Sequence, residues 1–180
     1  AASPTRIIMA EQDRDPDTAA WLQDIVRQYE GPLVRYAARL LGDDHRACDV
    51  VQDTFLRLCR EPREKVQDHV RQWLFAVCRN RAMDVLKKEN RMTTVSQQQA
   101  LDRASCDGDP RAAAQRQEAV RLAVTVLESL PNNQQEVIRL KVQNGLSYRE
   151  ISEVTGLSVS NVGFLLHRGI TTLRERLKPA

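Results

Sequence analysis

Apolar residues recur at three- and four-residue spacing over most of the chain, which is the period of helices that bury one face. Asp17 and Thr18 offer N-caps for a helix carrying Trp21, Leu22, Ile25, Val26 and Tyr29. Gly31-Pro32 is expected to interrupt or kink it before Leu33, Val34, Tyr36, Ala37, Leu40 and Leu41 resume the pattern up to Gly42. Asp43 or Asp44 then caps a second helix, whose inner face is Ala47, Val50, Val51, Thr54, Phe55 and Leu58 and whose end is Glu61-Pro62. After a polar link, a third helix carries Val70, Trp73, Leu74, Val77, Cys78, Ala82, Val85 and Leu86. Register with Leu74 and Val77 assigns Trp73 to the core rather than to an exposed surface.

Periodicity fails from about Thr93 to Pro110, where three consecutive glutamines, Asp102, Asp107, Gly108 and Asp109 make an acidic, linker-like stretch. It returns with Ala119, Val120, Leu122, Ala123, Val126, Leu127 and Leu130, breaks at Pro131, and resumes through Val137, Ile138, Leu140 and Val142 to Asn144-Gly145. No β-like alternation occurs. The expected fold is all-α: two helical modules, residues 1–92 and 113–180, joined by a flexible acidic linker over 93–112.

The most informative segment runs from Ser147 to Arg168. Ser147 and Glu150 form a capping-box pair, Ile151 and Val154 an inner face, and Ser152 is small enough to let two helices approach. Gly156 suits a turn that needs positive φ, Ser158 caps the next helix, and Val162, Leu165 and Leu166 give that helix its inner face. Caps, glycine and apolar positions together have the layout of a DNA-binding helix-turn-helix, beyond a plain helical hairpin. Ser160, Asn161, His167 and Arg168 are its outward polar groups, with Arg174, Arg176 and Lys178 extending the positive charge.

Charge agrees with this. The 180 residues carry a net charge of +3, which permits nucleic-acid binding. Arg71, Arg79, Asn80, Arg81, Lys87, Lys88 and Arg91 gather on or after the third helix, either as a solvated helix end whose cations the macrodipole favours or as a footprint for phosphates. No apolar run reaches the roughly 20 residues of a membrane span, and no signal-peptide pattern is present, so a cytoplasmic protein without membrane insertion is expected. Four cysteines show no Cys-x-x-Cys pair and three sit in apolar helical patterns, where they are read as small packing residues. No metal set, cofactor motif or nucleophile–base pair stands out, so neither a cofactor nor an enzymatic activity is expected.

Leu130-Pro131, Gln135-Glu136-Val137 and Gly145-Leu146-Ser147-Tyr148-Arg149-Glu150-Ile151 resemble region 4 of bacterial sigma factors. Asp49 to Leu56 resembles the core-binding helix of region 2, and Trp73 to Leu86 the promoter-melting helix that follows. Regions 2 and 4 on a short linker are the layout of the extracytoplasmic-function group. The resemblance implies that Asp49, Gln52 and Asp53 dock on core RNA polymerase. It implies that Asn80 captures a melted −10 base, aided by Asp84, while Arg79, Arg81, Lys87, Lys88 and Arg91 hold phosphates. It places Ser160, Asn161, His167 and Arg168 at the −35 element, with Tyr148 and Arg149 near the DNA backbone. Basic residues common in the family are replaced here by Gly163 and Leu165, so −35 reading is expected to lean on the remaining polar groups and on DNA shape. An anti-sigma factor is the further partner implied. The rival reading is a stand-alone helix-turn-helix regulator, for which no dimerisation helix is evident.

Overall fold

The computed structural model describes residues 16–90 and 120–177. The acidic stretch, Arg91, Cys106 and Lys178 lie outside the described residues. The chain divides into two units, at Ala100 and Leu101. All regular structure among the described residues is helical, as the periodicity implies.

In the first unit, α1 (Pro16–Leu41), α2 (Asp44–Arg60) and α4 (Val70–Asn90) pack against one another, and a short α3 (Arg63–Val66) with a 3-10 turn at Gln67–His69 links the last two. Helix α1 runs unbroken through Pro32, against the expected interruption. Pro32 has no N–H to give the Gln28 carbonyl, a defect costing about 3 kcal/mol. Leu33, Tyr36 and Ala37 beyond it are all buried, and roughly 1.5–3 kcal/mol for each large side chain offsets the loss. Asp17 and Thr18 lie inside the helix rather than at its cap. The Asp17 carboxylate instead accepts from Arg63 of α3, whose guanidinium also stands 5.4 Å from the Trp21 ring centroid.

Asp43 caps α2, accepting from the Arg46 N–H at 2.9 Å, and this bond holds its carboxyl below the usual value. The predicted inner face, Ala47 through Leu58, is buried as a set. Buried Thr54 donates its hydroxyl to the Val50 carbonyl at 2.8 Å. Helix α4 buries Leu74, Phe75, Cys78 and Ala82, with Phe75 edge-on to Tyr36 at 5.3 Å between ring centroids. Among the three described cysteines, only Cys78 is buried; burial pushes its thiol pKa up to about 12, partly countered by a hydrogen bond with Thr54. Cys48 is exposed and Cys59 half-buried, so packing explains one cysteine of the three described. Cys48 sits at the edge of the α2 stripe, one residue beyond buried Ala47.

In the second unit, a helix over 120–128 (α5) precedes α6 (Asn132–Val142), α7 (Tyr148–Thr155) and α8 (Val159–Arg176). Val126, Leu127 and Leu130 are buried, whereas Val120 and Leu122 are exposed. Pro131 starts α6, and the Gln135 amide reaches back to the carbonyls of Glu128 and Leu130 at 3.0 and 2.8 Å. It thereby satisfies acceptors that the end of α5 leaves open. Helix α8 meets α6 at Gly169, where a β-carbon would stand 2.6 Å from Ile138 Cδ1. Gly169→Ala should be close to neutral, since that methyl is the tip of a flexible chain and alanine favours helix by about 1 kcal/mol. Gly169→Leu should lower the stability of this unit by about 1–3 kcal/mol in calorimetry; an unchanged melting profile would show that α6 and α8 do not approach this closely.

Candidate nucleic-acid interface

The helix-turn-helix is built as its sequence dictates. Ser147 Oγ accepts from the Glu150 N–H at 3.2 Å, and Glu150 Oε2 accepts from the Ser147 N–H at 2.6 Å, closing the capping box. Gly156 takes φ 74°, in the left-handed region that a side chain would strain. Ser152 donates its hydroxyl across the turn to the Leu157 carbonyl at 2.6 Å. Ser158 Oγ then accepts from the Asn161 N–H at 3.2 Å and starts α8.

Val162, Leu165, Leu166 and Gly169 form the buried side of α8. Ser160, Asn161, His167 and Arg168 therefore face outward, and all four are exposed. Leu165 is only 5% exposed, so its side chain belongs to the core and is not an outward position that has lost a base contact. Gly163 is half-buried, and the Tyr148 ring lies across it, with Cε2 3.7 Å from where a β-carbon would stand. Lys141 stands 5.5 Å from the centroid of that ring, so Tyr148 borders α8 with a cation nearby, whereas Arg149 is exposed and pairs loosely with Glu153 of its own helix at 3.7 Å. Sequence reasoning missed Phe164, which is 57% exposed on the outward side of α8.

In the first unit, Asp49, Gln52 and Asp53 share the outward side of α2 with half-buried Leu56. On α4, Asn80, Asp84, Lys87 and Lys88 are exposed, and Arg79 and Arg81 are half-buried. Trp73 and Val77 are half-buried too, and their spacing of seven and three residues before Asn80 sets them on its side of the helix. The core assignment of Trp73 and Val77 is thus corrected. Apolar residues occur on every side of α4, so its spacing alone does not fix its rotation. Arg81 of α4 is ion-paired with Asp53 of α2, which joins a residue assigned to polymerase docking to one assigned to DNA.

Comparison with known proteins agrees with this arrangement. The family model for Sigma-70 region 2 matches residues 25–92, and that for Sigma-70, region 4 matches residues 121–173. The ECF RNA polymerase sigma factor SigL of Mycobacterium tuberculosis is 30% identical over 165 residues, covering 89% of this chain and 90% of that protein. The chain belongs to the ECF RNA polymerase sigma factors. SigM of Bacillus subtilis is 27% identical over 157 residues, covering 87% of this chain and 93% of that one. The fold is shared with the sigma factor RpoE of Bartonella quintana, solved with the anti-sigma factor NepR: TM-score 0.62, 20% identity, 86% of this chain and 95% of that one. Sigma factors are transcription initiation factors, and the partners of this one are core RNA polymerase and promoter DNA. The stand-alone regulator is set aside, because the first unit carries sigma region 2.

The Asp53–Arg81 pair has both side chains between a third and a half exposed, which limits its coupling to about 1 kcal/mol. Both tryptophans, Trp21 and Trp73, lie in this unit, so urea unfolding followed by their fluorescence reports it alone. A cycle of Asp53→Ala, Arg81→Ala and the double variant should show positive coupling of up to about that size; zero coupling would mean that the pair is not formed in solution.

Proposed function

We propose that this sigma factor divides its work among three outward helix faces. Region 2 spans residues 1–92 and region 4 residues 113–180, with the acidic segment 93–112 as the tether between them. Asp49, Gln52 and Asp53 on α2 dock core RNA polymerase, with Leu56 adding apolar area at the centre of that face. On α4, Asn80 receives an unstacked −10 base by amide hydrogen bonds to its edge, with Asp84 one turn on. Arg79, Arg81, Lys87 and Lys88 hold the strand's phosphates, and Arg91 continues that series in sequence. In region 4, Ser160, Asn161, His167 and Arg168 meet the −35 element, while Tyr148 and Arg149 sit at the backbone.

The observation that carries this reading is the exposed row Asn80, Asp84, Lys87 and Lys88, with half-buried Trp73 and Val77 on the same side of α4. A polar base-edge reader beside apolar surface is what an unstacked base requires, because stacking must replace what the duplex supplied. Polymerase performs the chemistry, so the chain is not itself an enzyme, needs no cofactor or metal, and works in the cytoplasm. RpoE of Bartonella quintana was solved with NepR, and CnrH with the cytosolic domain of CnrY. By that likeness this chain is also held by an anti-sigma factor.

Two measurements test the division. Asp49→Lys should weaken association with core polymerase at least tenfold in an anisotropy titration while leaving the fold intact; unaltered affinity would remove α2 from the docking surface. Asn80→Ala should bind core normally yet lose about 1–3 kcal/mol of open-complex stability, read by permanganate reactivity of melted thymines. Equal reactivity at equal occupancy would take base capture away from Asn80.

A further inference from the structure

The outward side of α8 has an apolar centre. Phe164 lies four residues from Ser160, three from His167 and four from Arg168, so all of these share one side of the helix. The opposite side is fixed inward by Val162, Leu165, Leu166 and Gly169. The phenyl ring is 57% exposed; its covered part borders a groove also lined by Leu130, Pro131 and Leu165, and the rest is open to a partner. From Val159 to Leu166 the helix carries no lysine or arginine, so its first two turns lack the bidentate cationic donor that most often reads the guanine O6/N7 edge. Arg168 is the first cation along α8, and its guanidinium stands 6.0 Å from the Phe164 ring centroid.

The major groove offers one apolar group that distinguishes bases, the C5-methyl of thymine, and phenylalanine is among the side chains that contact it. Resting on the assignment of α8 to the −35 element, we propose that Phe164 is a specificity-determining residue, its ring packing on a thymine methyl in the major groove. Arg168, over the same ring at the edge of cation–π reach, supplies the neighbouring positive charge. Asn161 suits the adenine N6/N7 edge by its bidentate amide. The recognition helix is thereby biased toward A·T pairs over G·C pairs across its first two turns.

The test uses the full chain assembled with core polymerase. That holoenzyme selects promoters from a library randomised across the upstream element, and each selected thymine is then replaced by deoxyuridine, which deletes only the methyl. At one thymine or more, the replacement should reduce wild-type promoter binding by about fourfold, the worth of one buried methyl. Phe164→Ala should bind the thymine promoter more weakly and be indifferent to deoxyuridine, and Phe164→Leu should retain part of the discrimination. A selected element without thymine, a wild-type holoenzyme indifferent to deoxyuridine, or an unchanged deoxyuridine effect in Phe164→Ala would each overturn the role of Phe164. If scrambling the element still abolishes binding in those cases, the assignment of α8 to the −35 element stands. If scrambling has no effect, that assignment fails and the proposal fails with it.

Discussion

Each surface proposed above for polymerase or DNA among the described residues is one side of a helix, so the rotation of each helix about its own axis is the constraint on which that function depends. Rotation is set from behind. Burying a leucine, valine or phenylalanine is worth roughly 1.5–3 kcal/mol, whereas an exposed ion pair contributes about 1 kcal/mol or less. The inner stripes therefore decide, and the outer residues follow. On α8 the stripe of Val162, Leu165 and Leu166 is completed by Gly169, which lets the helix axis come close to α6 at Ile138. On α4 the same work falls to Leu74, Phe75, Cys78 and Ala82, with Tyr36 of α1 set edge-on to Phe75. Once these side chains are seated, Asn80 and Asn161 have no freedom to turn inward.

Axial position is a second constraint, and caps supply it. Asp43, Ser147 and Ser158 each place a side-chain oxygen on the third helical N–H, fixing where α2, α7 and α8 begin. Gly156 fixes the angle between α7 and α8 by a backbone conformation that other residues adopt at a cost. Start, rotation and crossing angle together leave the recognition helix with little adjustable geometry, which suits a surface that must match the groove of a stiff duplex. The region 2 faces are tied to each other differently. Through Asp53 and Arg81 the helix proposed to meet polymerase carries an ion pair to the helix proposed to meet DNA, so on that proposal anything that engages Asp53 alters the charge which Arg81 presents.

What the sequence makes legible is what is local. The helix-turn-helix could be read residue by residue because its signals lie within a few positions of one another: a cap, an acid three residues on, a glycine, a second cap. The burial of Ala47 through Leu58 was equally plain, as α2 is strongly two-sided. Helix α4 was harder, since Trp73 and Val77 follow the helical period as faithfully as Leu74 and Cys78 do. Only the positions of α1 and α2 decide which of them is covered. Pro32 misleads in the same way, because its local cost is visible in sequence and the burial that outweighs it is not. Asp17 looked like a cap, yet its partner is Arg63, 46 residues away. Phe164 escaped notice because a search for polar DNA contacts passes over an apolar residue, and only the fold shows that more than half of it stays exposed.

The composition of α8 has a consequence for how the two units must cooperate. The first two turns of the recognition helix carry no lysine or arginine, Arg168, Arg174 and Arg176 coming only later along α8, so the part proposed to enter the groove gains little of the phosphate attraction that dominates most protein–DNA affinity. On the proposed assignment its grip on the −35 element alone is therefore weak, and its contribution lies in discrimination. The compensating charge is concentrated on α4, where Arg79, Arg81, Lys87 and Lys88 follow one another within three turns. Because both units belong to one chain, and that chain is anchored on polymerase, each binds DNA that the other has already brought near. The second contact is then made at an effective concentration far above that of free promoter. Under that condition a weakly charged reader is an advantage: low intrinsic affinity keeps region 4 from holding non-specific DNA, and the shared anchor restores binding only where both elements stand at the right spacing.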